Sequence, residues 1–133
     1  LPLIMVDFDQ IQQAVMNIVL NAAQAMPDGG DLTITTSVAK GVRIGETFRN
    51  AIRIDISDTG IGIPKENLDK LFTPFFTTKE KGKGVGLGLS VVHGIIERHH
   101  GKIEIESDPG AGTTFSVYLG IINDEKNQAA RSR

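Results

Sequence analysis

The sequence predicts one α/β domain, on three observations: an amphipathic helix opens the chain, two separate pairs of alternating strands follow, and a glycine-rich stretch between those pairs leads into another helix. The 133 residues, 40% of them apolar, supply enough side chains for one substantial core. A formal net charge of −2 gives no electrostatic reason to expect nucleic acid or an acidic membrane surface as the main partner. With no cysteine, disulfides and thiolate metal sites are excluded. Apolar runs are far shorter than a membrane span, and Leu1 to Val6 lacks the basic flank and length of a signal peptide. The chain opens inside an apolar stretch without an initiator Met. The expectation is a soluble, cytoplasmic domain cut from a longer parent that is itself free to be membrane-anchored.

Asp7 and Gln10 stand at capping-box spacing, and Val6 and Ile11 sit where a hydrophobic staple fixes helix entry. Ile11, Val15, Ile18 and Ala22 keep helical spacing until Pro27-Asp28-Gly29-Gly30 turns the chain, so helix is expected from about residue 8 to about residue 26. Leu32, Ile34, Thr36 and Val38 alternate with polar residues. Ile52, Ile54 and Ile56 do the same after a polar connector containing Gly41 and Gly45, which makes two hairpin-linked strands. Counting by twos from Ile52 reaches Asp58, so this carboxylate is expected to point inward with the isoleucines.

Pro64 suits the first position of a short helix with Leu68, Leu71 and Phe72 in one stripe, stopped by Pro74. Thr73 to Gly86 reads as a loop. A further helix, with Leu89, Val92, Ile95 and Ile96 on one side, is expected from about Leu87 to His100, ending at Gly101. Ile103 and Ile105 alternate with charged residues, and after Asp108-Pro109-Gly110 the residues Thr113, Phe115, Val117 and Leu119 alternate again as a closing hairpin. The domain is expected over residues 1–122, with 123–133 a frayed tail or linker.

Four features carry chemistry. Asn17 and Asn21 lie one turn apart on one helix face, among apolar neighbours; such amides either cross-link nearby backbone or offer a carbonyl oxygen to a Mg²⁺ held mainly by phosphates. An inward Asp58 needs donors, and adenine's exocyclic amine is one; bonding its own turn is the commoner fate of Asp before Thr-Gly. Gly60 and Gly62 strip side chains from the loop that follows, leaving room for a flat base. Lys81-Gly82-Lys83-Gly84-Val85-Gly86-Leu87-Gly88 puts positive charge and glycine ahead of a helix N-terminus, where phosphate binds readily, although neither a P-loop nor a dinucleotide fingerprint is completed. Thr113 shares the inward phase and is the better candidate than Thr114 to touch a ligand. His93, His99 and His100 have no partners at metal-ligand spacing and are expected in solvated or helix-end roles.

The Asn-bearing helix, Asp58-Thr59-Gly60-Ile61-Gly62, Phe75-Phe76 before a glycine lid, and Gly110-Ala111-Gly112-Thr113 occur in that order. This series resembles the catalytic ATP-binding domain of bacterial sensor histidine kinases, in the superfamily shared with gyrase, Hsp90 and MutL. The resemblance implies a Bergerat-type fold: a two-layer α/β sandwich, about three helices on one face of a mixed, largely antiparallel sheet. It implies that Asn17 and Asn21 bind Mg²⁺ and phosphate, with Asn21 the stronger metal ligand, and that Asp58 binds adenine beside Gly60, Gly62 and Ile63. The Phe box maps onto Phe72 to Phe76, with Phe75 at the nucleotide; the second glycine box maps onto Gly84, Val85, Gly86, Leu87 and Gly88; the last box runs from Gly110 to Phe115 and includes Thr113. Some members carry a phosphate-binding lysine where this chain has Gln24, so phosphate charge would fall to Lys79, Lys81 or Lys83.

The activity implied is a protein-histidine kinase using ATP and Mg²⁺. Its partners would be a helical dimerisation and histidine-phosphoacceptor domain of the same protein, a response-regulator receiver domain, and a second copy of the parent in a homodimer. This chain offers no acceptor histidine of its own. Two other readings stand beside it. In ATP-driven clamps of the gyrase type a glutamate hydrolyses ATP, and that position is Asn17, an amide that cannot act as general base. A binding module with the fold but no transfer role is disfavoured by Asn21, Asp58 and the lid glycines.

Overall fold

The computed structural model describes residues 6–72 and 88–121. The chain runs α1 (Phe8–Gln24), β1 (Leu32–Ile44), β2 (Thr47–Asp58), α2 (Lys65–Leu68), α3 (Gly88–Arg98), β3 (Gly101–Asp108) and β4 (Gly112–Gly120). The four strands form one sheet in the order β1-β2-β4-β3, and every pairing among the described residues is antiparallel. α1 packs on α3 and β2, and α3 packs on β3. Ala14 and Ile18 of α1, Val92, Ile95 and Ile96 of α3, and Ile56, Phe115, Val117 and Leu119 of the sheet close one core between the two layers.

The expected start of α1 is found, with one bond redirected. Asp7 caps the helix by accepting from the Gln10 N–H at 3.2 Å. Its own N–H is taken not by Gln10 but by His99 Nε2 at 2.9 Å, while His99 Nδ1 bonds the Ile95 carbonyl at 2.8 Å. Since the amide can only donate and the carbonyl only accept, His99 is the neutral tautomer with its proton on Nδ1. A helix-end role for this histidine thus joins the start of α1 to the end of α3.

The first hairpin is longer than its alternation suggested. The connector around Gly41 and Gly45 is itself strand: β1 runs on to Ile44 and β2 starts at Thr47, leaving a two-residue turn in which Gly45 has φ 64°. Gly41, at φ 62°, accompanies a register shift between Ala39 and Val42, so the ladder continues through what composition marked as loop. Leu32, Ile34 and Val38 share the face of their buried partners on β2 yet are 40–50% exposed, β1 being an edge strand of the sheet.

The last helix ends two residues earlier than expected, at Arg98. His100 takes the left-handed conformation, φ 56°, and Gly101 begins β3. Gly101 serves close approach, not the helix cap: a Cβ there would strike the Tyr118 carbonyl. Pro64 is the N-cap of α2, which is only four residues long, and Leu71 beyond it is buried.

Candidate functional site

At one end of the sheet Leu32, Asp58, Thr113 and Ser107 form a single transverse row across β1, β2, β4 and β3. Asp58 and Thr113 are 5% and 4% exposed, so the inward phase counted from Ile52 and from Phe115 holds for both. Asp58 Oδ1 accepts from the Gly60 N–H at 2.8 Å. Among the described residues no donor reaches Oδ2. The turn role expected of Asp58 is thus found at Oδ1, while Oδ2 is, among the described residues, a buried acceptor in need of a donor.

The chain leaving Asp58 is laced to four residues elsewhere in the fold. Ile61 donates to the Ala25 carbonyl at 3.0 Å at the end of α1, and its carbonyl accepts from the Gly110 N–H at 2.6 Å. The Ile63 N–H donates to Ser107 Oγ at 2.7 Å, and the Ile63 side chain packs on the core. Thr59 Oγ1 accepts from the Asp31 N–H at 3.0 Å. The room at Gly60 and Gly62, expected to admit a base, is filled on the Cβ side by the protein's own backbone: a side chain at Gly60 would strike the Ala25 carbonyl, and one at Gly62, φ 75°, the Asp108 carbonyl. Gly112, φ 117°, abuts the carbonyl of Asp58 itself. Glycine is required at these places by the packing that holds the row together.

On α1, Asn17 Nδ2 donates to the carbonyl of Gly88, the first residue of α3, at 3.3 Å. Asn21 is half-buried, and its side-chain amide has no hydrogen-bond partner among the described residues. Asn21 lies one turn before Ala25, which receives Ile61 of the glycine loop, so α1 carries the amides toward the same end of the domain as Asp58. Of the second glycine segment only Gly88 is placed; Phe75, Lys79, Lys81, Lys83, Gly84, Val85, Gly86 and Leu87 lie outside the described residues, as does the tail 123–133.

Ser107 is the residue that sequence reasoning missed. Its hydroxyl meets Ile63 N, the Gly112 carbonyl at 3.1 Å and Thr113 Oγ1 at 2.8 Å. Counting by twos from Ile103 and Ile105 reaches it, so the signal that found Asp58 was available here too. His93 stays outside this row: it stacks on Phe72, with ring centroids 5.0 Å apart, and its Nε2 lies 3.2 Å from Glu97. Among the described residues no cluster of three His, Cys, Asp or Glu could hold a metal ion, and no helix is long and apolar enough to cross a membrane.

The helix-free face of the sheet carries a separate polar network. Asp55 accepts from Ser116 at 2.6 Å and from Arg53 at 2.9 Å. Burial alone would push its carboxyl up, but these two hydrogen bonds and the guanidinium charge outweigh that and hold it below the usual carboxylate range. Burial, followed by a hydrogen bond to Glu104, raises Tyr118, over whose ring Arg53 and Lys102 lie at 5.4 and 5.2 Å from the centroid.

Residues 6–121 match the family described as histidine kinase-, DNA gyrase B- and HSP90-like ATPases. The sensory histidine kinase/phosphatase NtrB of Vibrio alginolyticus is 46% identical over 125 residues, covering 92% of this chain and 35% of that protein. The sensor kinase CckA of Brucella abortus is 43% identical over 126 residues, 90% of this chain and 13% of that protein. The chain thus spans about a third or less of these relatives. Among solved structures, the catalytic domain of histidine kinase ThkA superposes with TM-score 0.68 at 34% identity, over 88% of this chain and 70% of that one. The mycobacterial sensor histidine kinase MprB does so with TM-score 0.71 at 28% identity, over 88% and 76%. With a four-stranded antiparallel sheet, helices on one face and a buried Asp58 at the head of the glycine loop, this chain belongs to the histidine kinase-, DNA gyrase B- and HSP90-like ATPase family.

Proposed function

We propose that this domain binds Mg²⁺-ATP and donates the γ-phosphoryl group to a histidine on a separate helical dimerisation domain of its parent protein, for relay to a response-regulator receiver domain. The observation that carries the reading is Asp58 Oδ2, a buried acceptor that meets no donor among the described residues and has Thr113 beside it. Adenine offers a donor amine to that oxygen, whereas guanine would set a carbonyl oxygen against a carboxylate.

Asn21 fits a role at the metal, because its amide meets no partner among the described residues and an amide oxygen suits a hard cation that arrives on phosphates. Mg²⁺ would neutralise phosphate charge there. Lys79, Lys81, Lys83 and the glycines from Gly84 to Gly88 are the groups proposed to meet the phosphates, with Phe75 near the nucleotide. Transfer is in line: the histidine nitrogen forms a bond to the γ-phosphorus as the bond to the β,γ-bridging oxygen breaks, and ADP leaves. Little covalent work falls to the protein, which acts by positioning and charge stabilisation. The parent would act as a homodimer with this domain in the cytoplasm.

An ATP-hydrolysing clamp is the weaker reading, since Asn17 holds the place of the clamp's glutamate and spends its amide as a donor to Gly88. Calorimetry with ATP and GTP, followed by transfer of labelled γ-phosphate to the parent's histidine domain, tests the proposal. Preference for ATP, label on histidine and negligible steady hydrolysis are expected. Sustained ATPase turnover without transfer would overturn it in favour of the clamp.

A further inference from the structure

Ser107 Oγ has one proton and, among the described residues, three polar neighbours. The Ile63 N–H can only donate to it, at 2.7 Å, and the Gly112 carbonyl can only accept from it, at 3.1 Å. The third neighbour, Thr113 Oγ1 at 2.8 Å, can do either. Two arrangements follow. If Ser107 donates to Gly112, the Thr113 hydroxyl donates back to Ser107 and shows only lone pairs to the site. If Ser107 donates to Thr113, the Thr113 proton is released into the site, and what is given up is the bond to Gly112, the longest of the three.

The base proposed for this site needs the second arrangement. Adenine's amine, a donor, is flanked by ring nitrogens that only accept, so an acceptor at Asp58 must be joined by a donor beside it. Thr113 is the cross-strand partner of Asp58 and is 4% exposed, which places its hydroxyl in that position.

We propose that Ser107 is a positioning residue that switches Thr113 from acceptor to donor when the nucleotide base enters. The proposal rests on the reading of Asp58 and Thr113 as the base pocket. A purely structural Ser107 would instead tie the glycine loop to β3 through Ile63, with no dependence on the Thr113 hydroxyl.

A double-mutant cycle separates the two, read by calorimetry with ATP on Ser107→Ala, Thr113→Val and the double variant. Ser107→Ala leaves the Thr113 hydroxyl with no neighbour among the described residues to turn its proton toward the base. It should weaken ATP about fivefold, the worth of the one neutral hydrogen bond left unoriented, and less than about twofold in the Thr113→Val background. Ser107→Thr, which keeps the hydroxyl, should bind like the parent sequence. Equal losses from Ser107→Ala in both backgrounds would overturn the proposal and leave Ser107 a structural tie. Thr113→Val that weakens ATP while Ser107→Ala does not would also overturn it and leave the pocket reading standing. Unchanged ATP affinity in Thr113→Val would remove the pocket reading and this proposal together. Where Ser107→Ala does not fold, Ser107→Cys, a much weaker donor, takes its place in the same cycle with the same expectations.

Discussion

Asp58 and Thr113 face each other in the β2–β4 register, both buried, and the backbone between them is so close that Gly112 abuts the Asp58 carbonyl. One carboxylate oxygen is held by Gly60, and the other has no donor among the described residues. This pair is the reference point for what the domain should do when it is altered.

Asp58→Asn keeps an oxygen for the Gly60 N–H but can turn an NH₂ toward the ligand in place of a charged acceptor. A hydrogen bond to a charged group contributes about 1.5–3 kcal/mol, so ATP affinity should fall roughly 10- to 150-fold in calorimetry. Chemical denaturation of the same variant should stay close to the parent curve.

Two glycine substitutions should separate strain from collision. Gly45→Ala, at φ 64° with nothing near its Cβ, should cost about 1 kcal/mol in urea denaturation. Gly112→Ala, at φ 117° and against the Asp58 carbonyl, should cost about 3 kcal/mol or more and weaken ATP as well, because the Asp58–Thr113 register must shift.

Asn17 joins α1 to the first carbonyl of α3. Asn17→Ala should lose about 1 kcal/mol of stability in denaturant, and amides in the first turn of α3 should exchange with deuterium faster. Asn17→Asp should be worse than alanine, since a carboxylate would face the Gly88 carbonyl with no proton to share.

Asp55 predicts a pH dependence with a definite sign. Its folded pKa is depressed below the ordinary value of 3.8 by Ser116 and Arg53 against the opposing effect of burial. The stability this contributes is fully present above that ordinary value and is lost as pH falls through the lower folded one. In urea titrations from neutral pH down through the acid range, the parent chain should lose more stability than Asp55→Asn, with the gap closing below pH 4.

Much of the site was legible because a strand's period of two carries burial forward. Ile52 to Asp58 and Phe115 to Thr113 are such counts, and both side chains lie where the count puts them. The same count from Ile105 reaches Ser107, but a serine ending a charged strand gives no apolar cue to continue it. The connector between β1 and β2 resembles a loop in its glycine and charge, but the alternation of Val42, Arg43 and Ile44 is that of a strand, with Gly41 at a bulge and Gly45 in the turn.

The chain's own order of residues determined the α/β class, the inward direction of Asp58 and Thr113, the capped start of α1 and the family, because each follows from local period, local capping or motif order. Tertiary structure alone decided that β2 lies beside β4, which makes Asp58 and Thr113 neighbours and brings Ser107 to their row. It also decided that Asn17 meets Gly88 across 71 residues and that His99 takes the N–H of Asp7 across 92. Such pairings are chosen by how helices and strands bury one shared core, and no local pattern in the sequence encodes which distant partner that burial selects.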